Sequence, residues 1–162
     1  MTNSPNIPNP IAPQKGTGNS PTAQSHLRIA RPVRSLSAAE KFWVQGLGLS
    51  VLFRTSGDPS EVEGEHSLLM LGWPGAAWHL EFIHDPEGTM IPGTATQEED
   101  LVVLYVEGPV DLEVVERLED RGGGKRVKAR NPYWEKWGVT VEDEDGYRLV
   151  ICQQKWENKA VE

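Results

Sequence analysis

Only one cysteine, Cys152, occurs in 162 residues, which excludes an internal disulfide framework and suits a reducing compartment. Positive charge is also scarce: 16 Lys and Arg stand against 24 Asp and Glu, a formal net charge of -8. That balance argues against a general affinity for nucleic acid or for an anionic membrane surface. No apolar run approaches the length of a membrane-spanning helix, so no membrane partner is expected. Residues 1–25 have almost no large apolar side chain beyond Ile7 and Ile11, but carry five prolines. Such a stretch cannot offset its ordering entropy by burial, and it reads as a disordered tail. It lacks the apolar centre of a secretory leader, and its prolines forbid the amphipathic helix of a transit peptide. Together these absences point to a cytoplasmic protein.

What is present is ordinary for a globular chain: 38% hydrophobic and 25% charged residues, in a length that suits one domain or two small modules sharing a core. The clearest local signal is a hairpin near the end. Val139 to Val141 and Leu149 to Ile151 are rich in β-branched residues and flank the tight acidic turn Asp143-Glu144-Asp145-Gly146. Asp-Gly between two such runs favours a hairpin, because glycine adopts positive φ without a steric cost. Alternation places Arg148, Val150 and Cys152 on one face and Tyr147, Leu149, Ile151 and Gln153 on the other.

Upstream, the first half reads as a strand from His26 to Arg31 and then a helix capped at Ser37, with Glu40 completing a capping box. This helix runs through Phe42, Trp43 and Val44 to the Gly46-Leu47-Gly48 break. Strands at Leu49–Phe53, Ser67–Leu71 and Trp78–Ile83 follow, with a polar loop over 57–64. After a linker the pattern repeats. Leu101–Val106 is a strand, and Asp111–Arg121 a helix with Leu112, Val115 and Leu118 on one stripe. Next come a short strand over Lys125–Lys128, a turn at Asn131-Pro132-Tyr133-Trp134, and the hairpin. Both halves read strand, helix, three strands, as an internal duplication would. The expected organisation is a tail over 1–25, a domain over 26–157 with module one at 26–84, linker 85–100 and module two at 101–157, and a short tail over 158–162.

This doubled βαβββ order, with Phe42-Trp43 and Gly46-Leu47-Gly48-Leu49 after the first helix and Glu142 to Tyr147 before the last strand, resembles the vicinal oxygen chelate superfamily. That group includes glyoxalase I, bleomycin and fosfomycin resistance proteins and extradiol ring-cleaving dioxygenases. His79-Leu80-Glu81-Phe82 together with Asn131-Pro132-Tyr133-Trp134 is most similar to a glyoxalase-like subgroup. The resemblance implies an α+β fold in which two βαβββ half-barrels surround a shared cavity, as a monomer or a homodimer. It also implies four metal-ligand positions, on the first and last strand of each module. These fall on Arg28 where the family has histidine, on Glu81, near Leu101 where histidine or glutamine is expected, and on Val150 where the family has glutamate. Only Glu81 matches.

A divalent cation needs several oxygen or nitrogen donors at about 2.0–2.6 Å, which leucine and valine do not supply. A guanidinium cannot lose its proton and repels a metal. The expectation is therefore no metal site, with a buried Arg28–Glu81 ion pair inside the former metal cavity. A site for iron, zinc, nickel or manganese is the minority alternative, in which His26, His79 and Glu81 would converge. Among the other histidines, His66 is expected in solvent and His84 in a turn, while Cys152 packs and the acidic tip Glu142–Asp145 is solvated. Six tryptophans suit an aromatic-lined pocket, with Tyr133 and Trp134 as candidate walls.

The functional expectation is a protein that binds a small organic molecule, through Arg28, His79, Tyr133, Trp134 and Val150. One alternative is a metal-independent isomerase or lyase with Glu81 as general base and Arg28 as anion clamp. The other is a metal-dependent lactoylglutathione lyase or ring-cleaving dioxygenase.

Overall fold

The computed structural model describes residues 12, 15, 19–55, 67–87 and 98–160. The loop expected over 57–64, His66, most of the linker and most of the N-terminal tail lie outside them.

The first module begins with strand β1, Leu27–Pro32. Helix α1, Leu36–Glu40, follows and widens into a π-helical turn, Lys41–Gly46, in which Leu47 N–H reaches the Phe42 carbonyl. Strands β2 (Ser50–Arg54), β3 (Ser67–Gly72) and β4 (Trp78–His84) complete the sheet, ordered β1-β4-β3-β2. The second module repeats the order with β5 (Leu101–Tyr105), α2 (Leu112–Asp120), β6 (Lys125–Val127), β7 (Gly138–Glu142) and β8 (Arg148–Cys152), ordered β5-β8-β7-β6. In each sheet the first strand pairs in parallel with the last, and the remaining pairs are antiparallel. The chain is thus an α+β duplication of the glyoxalase/bleomycin resistance type.

Three local expectations need correction. The first helix is capped by Ser35, whose hydroxyl accepts the Ala38 N–H at 3.1 Å, not by Ser37. Glu40, freed from a capping box, instead pairs with Arg54 at 2.8 Å. The Asn131-Pro132-Tyr133-Trp134 stretch is not a turn but the start of a further helix α3, Pro132–Trp137. Its cause is local: Asn131 accepts the Tyr133 N–H at 3.0 Å, and proline at the first helical position has a preset φ and no N–H to satisfy.

The third correction concerns the hairpin tip. Asp143 and Asp145 are buried rather than solvated, and only Glu144 among the three acids stands in water. Asp143 Oδ1 accepts the backbone N–H groups of Asp145 and Tyr147, both at 2.9 Å, while Gly146 takes positive φ to close the turn. The tip is buried because it docks on the exit of β1. Tyr147 donates its hydroxyl to the Pro32 carbonyl at 2.8 Å, Arg31 lies 4.5 Å over the Tyr147 ring, and Arg34 pairs with Asp145 at 2.9 Å.

One hydrophobic core serves both modules. Phe42, Trp43, Leu47, Leu69, Leu71, Leu80 and Phe82 from the first join Val115, Leu118, Val141, Leu149 and Ile151 from the second. The helical segments meet closely enough that Gly124 has no room for a side chain: a Cβ there would lie 2.5 Å from Phe42 and 2.9 Å from Val141. Because strand residues alternate, the opposite, open face of the first sheet carries Arg28, Ala30, Met70, His79 and Glu81. The corresponding face of the second sheet carries Val103, Thr140, Arg148, Val150 and Cys152, of which Thr140, Val150 and Cys152 are buried.

Candidate functional site

On the open face of the first sheet, parallel pairing sets Arg28 beside His79 and Ala30 beside Glu81. His26, just before β1, places Nε2 2.7 Å from His79 Nδ1. Arg28 donates its Nε–H to His79 Nε2 at 3.2 Å. That contact fixes the proton count. A nitrogen that accepts from a guanidinium is unprotonated, so neutral His79 carries its proton on Nδ1 and donates it to His26 Nε2. Burial, then the neighbouring His26 and Arg28, hold the His79 pKa below its ordinary value, with Glu81 opposing them.

Arg28 also brings Nη1 to 3.2 Å from Glu81 Oε2. The pair is not the fully buried one expected: the carboxylate is 8% exposed, but the guanidinium is 52% exposed, because β1 is the edge strand of its sheet. The contact is close in distance but poorly aimed, and Glu81 Oε2 accepts no hydrogen bond from the described residues. The arrangement therefore leaves a buried carboxylate oxygen with unused acceptor capacity next to a half-exposed cation.

His26 meets His79 directly, but only Arg28 links His79 to Glu81, so the three do not converge as a metal site would require. Arg28 uses the one His79 nitrogen able to ligate and sits against the carboxylate. On the second sheet Val150 is fully buried between Val103 and Thr140 and offers no donor, and Leu101 lies opposite Arg148. Among the described residues, no group of three or more His, Cys, Asp or Glu is arranged to hold a metal ion.

Tyr133 and Trp134 meet edge to face on α3, with centroids 5.0 Å apart, and Tyr133 is exposed. Tyr105 lies near Tyr133 and Cys152, and burial is the main cause that pushes its phenol pKa up. These aromatics belong to the second module. No hydrogen bond, ion pair or ring contact among the described residues joins them to the Arg28–His79–Glu81 group. Trp134, one of the expected walls, has Nε1 buried without a partner among the described residues. Thr140 Oγ1 and Arg148 Nη1 are buried in the same way, and neither residue is among the expected site residues. His84 ends β4 instead of sitting in a turn, with Nδ1 3.3 Å from the Val33 carbonyl oxygen. Cys152 is wholly buried.

Residues 27–83 match the YycE-like N-terminal domain, and residues 99–153 the YycE-like C-terminal domain. The chain is 34% identical over 131 residues to the uncharacterized protein YycE of Bacillus subtilis, covering 81% of this chain and 89% of that one. The crystal structure of the Bacillus subtilis YycE protein overlays with a TM-score of 0.70 at 31% identity, over 85% of this chain and 95% of that one. TnmS3, an antibiotic binding protein from Streptomyces sp. CB03234, overlays at 0.55 with 25% identity, over 83% and 99% of the two chains. Glyoxalase I of Leishmania major overlays at 0.56 with 18% identity, over 77% and 83%, which shows the fold alone.

Proposed function

The chain belongs to the YycE-like family of the vicinal oxygen chelate superfamily, and from that premise we propose that it binds a small organic molecule without recruiting a metal. One observation carries the reading: the Arg28 guanidinium spans His79 Nε2 and Glu81 Oε2, each at 3.2 Å, where the superfamily's first ligand would stand. A permanent cation there opposes a second cation electrostatically and withdraws the histidine nitrogen a metal would need. The same geometry suits a polar organic ligand. Glu81 Oε2 would accept from a ligand hydroxyl or N–H, and the exposed side of Arg28 would donate to a carbonyl or carboxylate. The likeness to TnmS3, an antibiotic binding protein, supports a binding role.

A small-molecule library screened by shift in unfolding temperature tests this, since a ligand that prefers the folded state stabilises it. Compounds that bind the wild type are expected to do so equally in the presence of a chelator. They are expected to lose about tenfold in affinity in Glu81→Gln, where the amide gives a weaker acceptor than the carboxylate. Binding that appears only after addition of a divalent metal would contradict the reading.

A further inference from the structure

Between the modules, on the side of the shared core, lies a cavity of about 320 Å³ that none of Arg28, His79 and Glu81 lines. Its walls include Leu47 and Trp73 from the first module and Leu104, Tyr105, Asp111 and Val114 from the second. That volume is at the lower end of the range of small-molecule pockets, about 300–1,000 Å³, and suits a molecule of two rings.

The aromatic wall, Trp73, is held by groups outside the cavity. Trp73 donates its indole N–H to the Gly48 carbonyl at 3.2 Å and meets Trp78 edge to face at 5.7 Å. Tyr105, in register with Cys152, turns its ring to the other face of β5, where it stacks on Trp156 with centroids 6.0 Å apart. Trp73 nevertheless remains 39% exposed, an open apolar surface on a preorganised support.

The rim is also fixed. Glu107 is the one non-glycine residue at positive φ among those described, and Lys155 pairs with its carboxylate at 3.2 Å. Val106 and Gly108 on either side donate to the Cys152 and Gln153 carbonyls, both at 2.9 Å. Such a conformation persists only where its surroundings enforce it. Asp111 is the one charged residue among those that line the cavity, and it is exposed. It uses Oδ1 to accept the Glu113 N–H at 2.9 Å.

We propose that this cavity is a second binding site, separate from the open face of the first sheet, for a small planar apolar molecule bearing one cationic amine. Its rings lie against Trp73 and its ammonium group meets Asp111. Apolar walls supply the burial, and the lone carboxylate at the rim selects the sign of charge.

Isothermal titration with 1-naphthylmethylamine and 1-naphthoic acid as a matched pair tests the proposal on the full chain. The amine is expected to bind with one-to-one stoichiometry and about tenfold tighter than the acid, as a single rim charge allows. Trp73→Ala is expected to weaken the amine by about tenfold through loss of the ring wall. Val114→Trp, which fills the cavity, is expected to abolish binding. Asp111→Asn keeps an acceptor for the helix cap and is expected to erase the preference for the amine. Thermal unfolding of each variant establishes that it is folded. Equal binding of amine and acid, undiminished binding in Val114→Trp, or no binding of the amine at millimolar concentration would each overturn the proposal. Neither Trp73 nor Val114 belongs to the Arg28–His79–Glu81 group, so this site and the open-face site stand or fall separately.

Discussion

Trp43→Ala is expected to lower the unfolding free energy by about 3–5 kcal/mol, the range for deleting a large aromatic from a packed interior. Trp43 is 1% exposed at the centre of the shared core, edge to face with Phe42 at 5.1 Å and 5.9 Å from Phe82. Its neighbours belong to a cluster that includes Val115, Leu118 and Val141 of the other module, so the cavity would loosen both halves at once. A typical domain has only about 5–15 kcal/mol in reserve, which makes the loss a large share of the total. Urea unfolding followed by tryptophan fluorescence and by far-ultraviolet circular dichroism checks this. The variant should keep a single transition at lower midpoint, with the two probes coincident. A loss below about 1 kcal/mol, or two separated transitions, would show that the modules do not depend on a common core.

Asp143→Asn is expected to stabilise the protein at neutral pH, an unusual outcome for a substitution at a buried hydrogen-bonded residue. Burial pushes the Asp143 carboxyl up from 3.8 to about 6, against the opposing hydrogen bonds from Tyr147 and Asp145 and the positive charge of Arg31. A raised carboxyl binds its proton more tightly in the folded than in the unfolded chain. Its contribution is therefore fully present below pH 3.8 and is lost as pH rises to about 6. Asparagine keeps the oxygen that accepts the two backbone N–H groups and never ionises. The variant should match the wild type near pH 4 and exceed it by about 1–3 kcal/mol at pH 7, a difference of about two pKa units at most. Denaturant titrations at several pH values between these limits measure the difference directly. A difference that does not change with pH, or that turns against asparagine as pH rises, would contradict the burial of the charge.

The hairpin, the duplicated strand–helix–strand order and the α2 core positions Val115 and Leu118 were legible in the sequence because each depends on residues close together in the chain, although Leu112, placed on the same stripe, is exposed. Gly146 marked its turn, and Val115 and Leu118 marked their face. Asn131 followed by Pro132 was equally local and carried a helix start, but it reads as a turn when only four residues are weighed. The buried acids of the hairpin tip could not be read. Their burial depends on docking against Pro32 and Arg34, more than a hundred residues earlier. The Arg28–Glu81 pairing followed from the family register, whereas the donation to His79 and the exposure of Arg28 depend on edge-strand geometry. The cavity was illegible for a similar reason: Leu47, Trp73 and Leu104 line it together only when the modules pack.

Metal content per chain, measured by plasma mass spectrometry on protein purified without a metal-affinity column, tests the central claim most directly. The account predicts no stoichiometric iron, zinc, nickel or manganese, either as isolated or after incubation with each ion and gel filtration. A full equivalent of any one of them would mean that Arg28 leaves His79 and Glu81 to the metal, and would contradict a metal-free binding site.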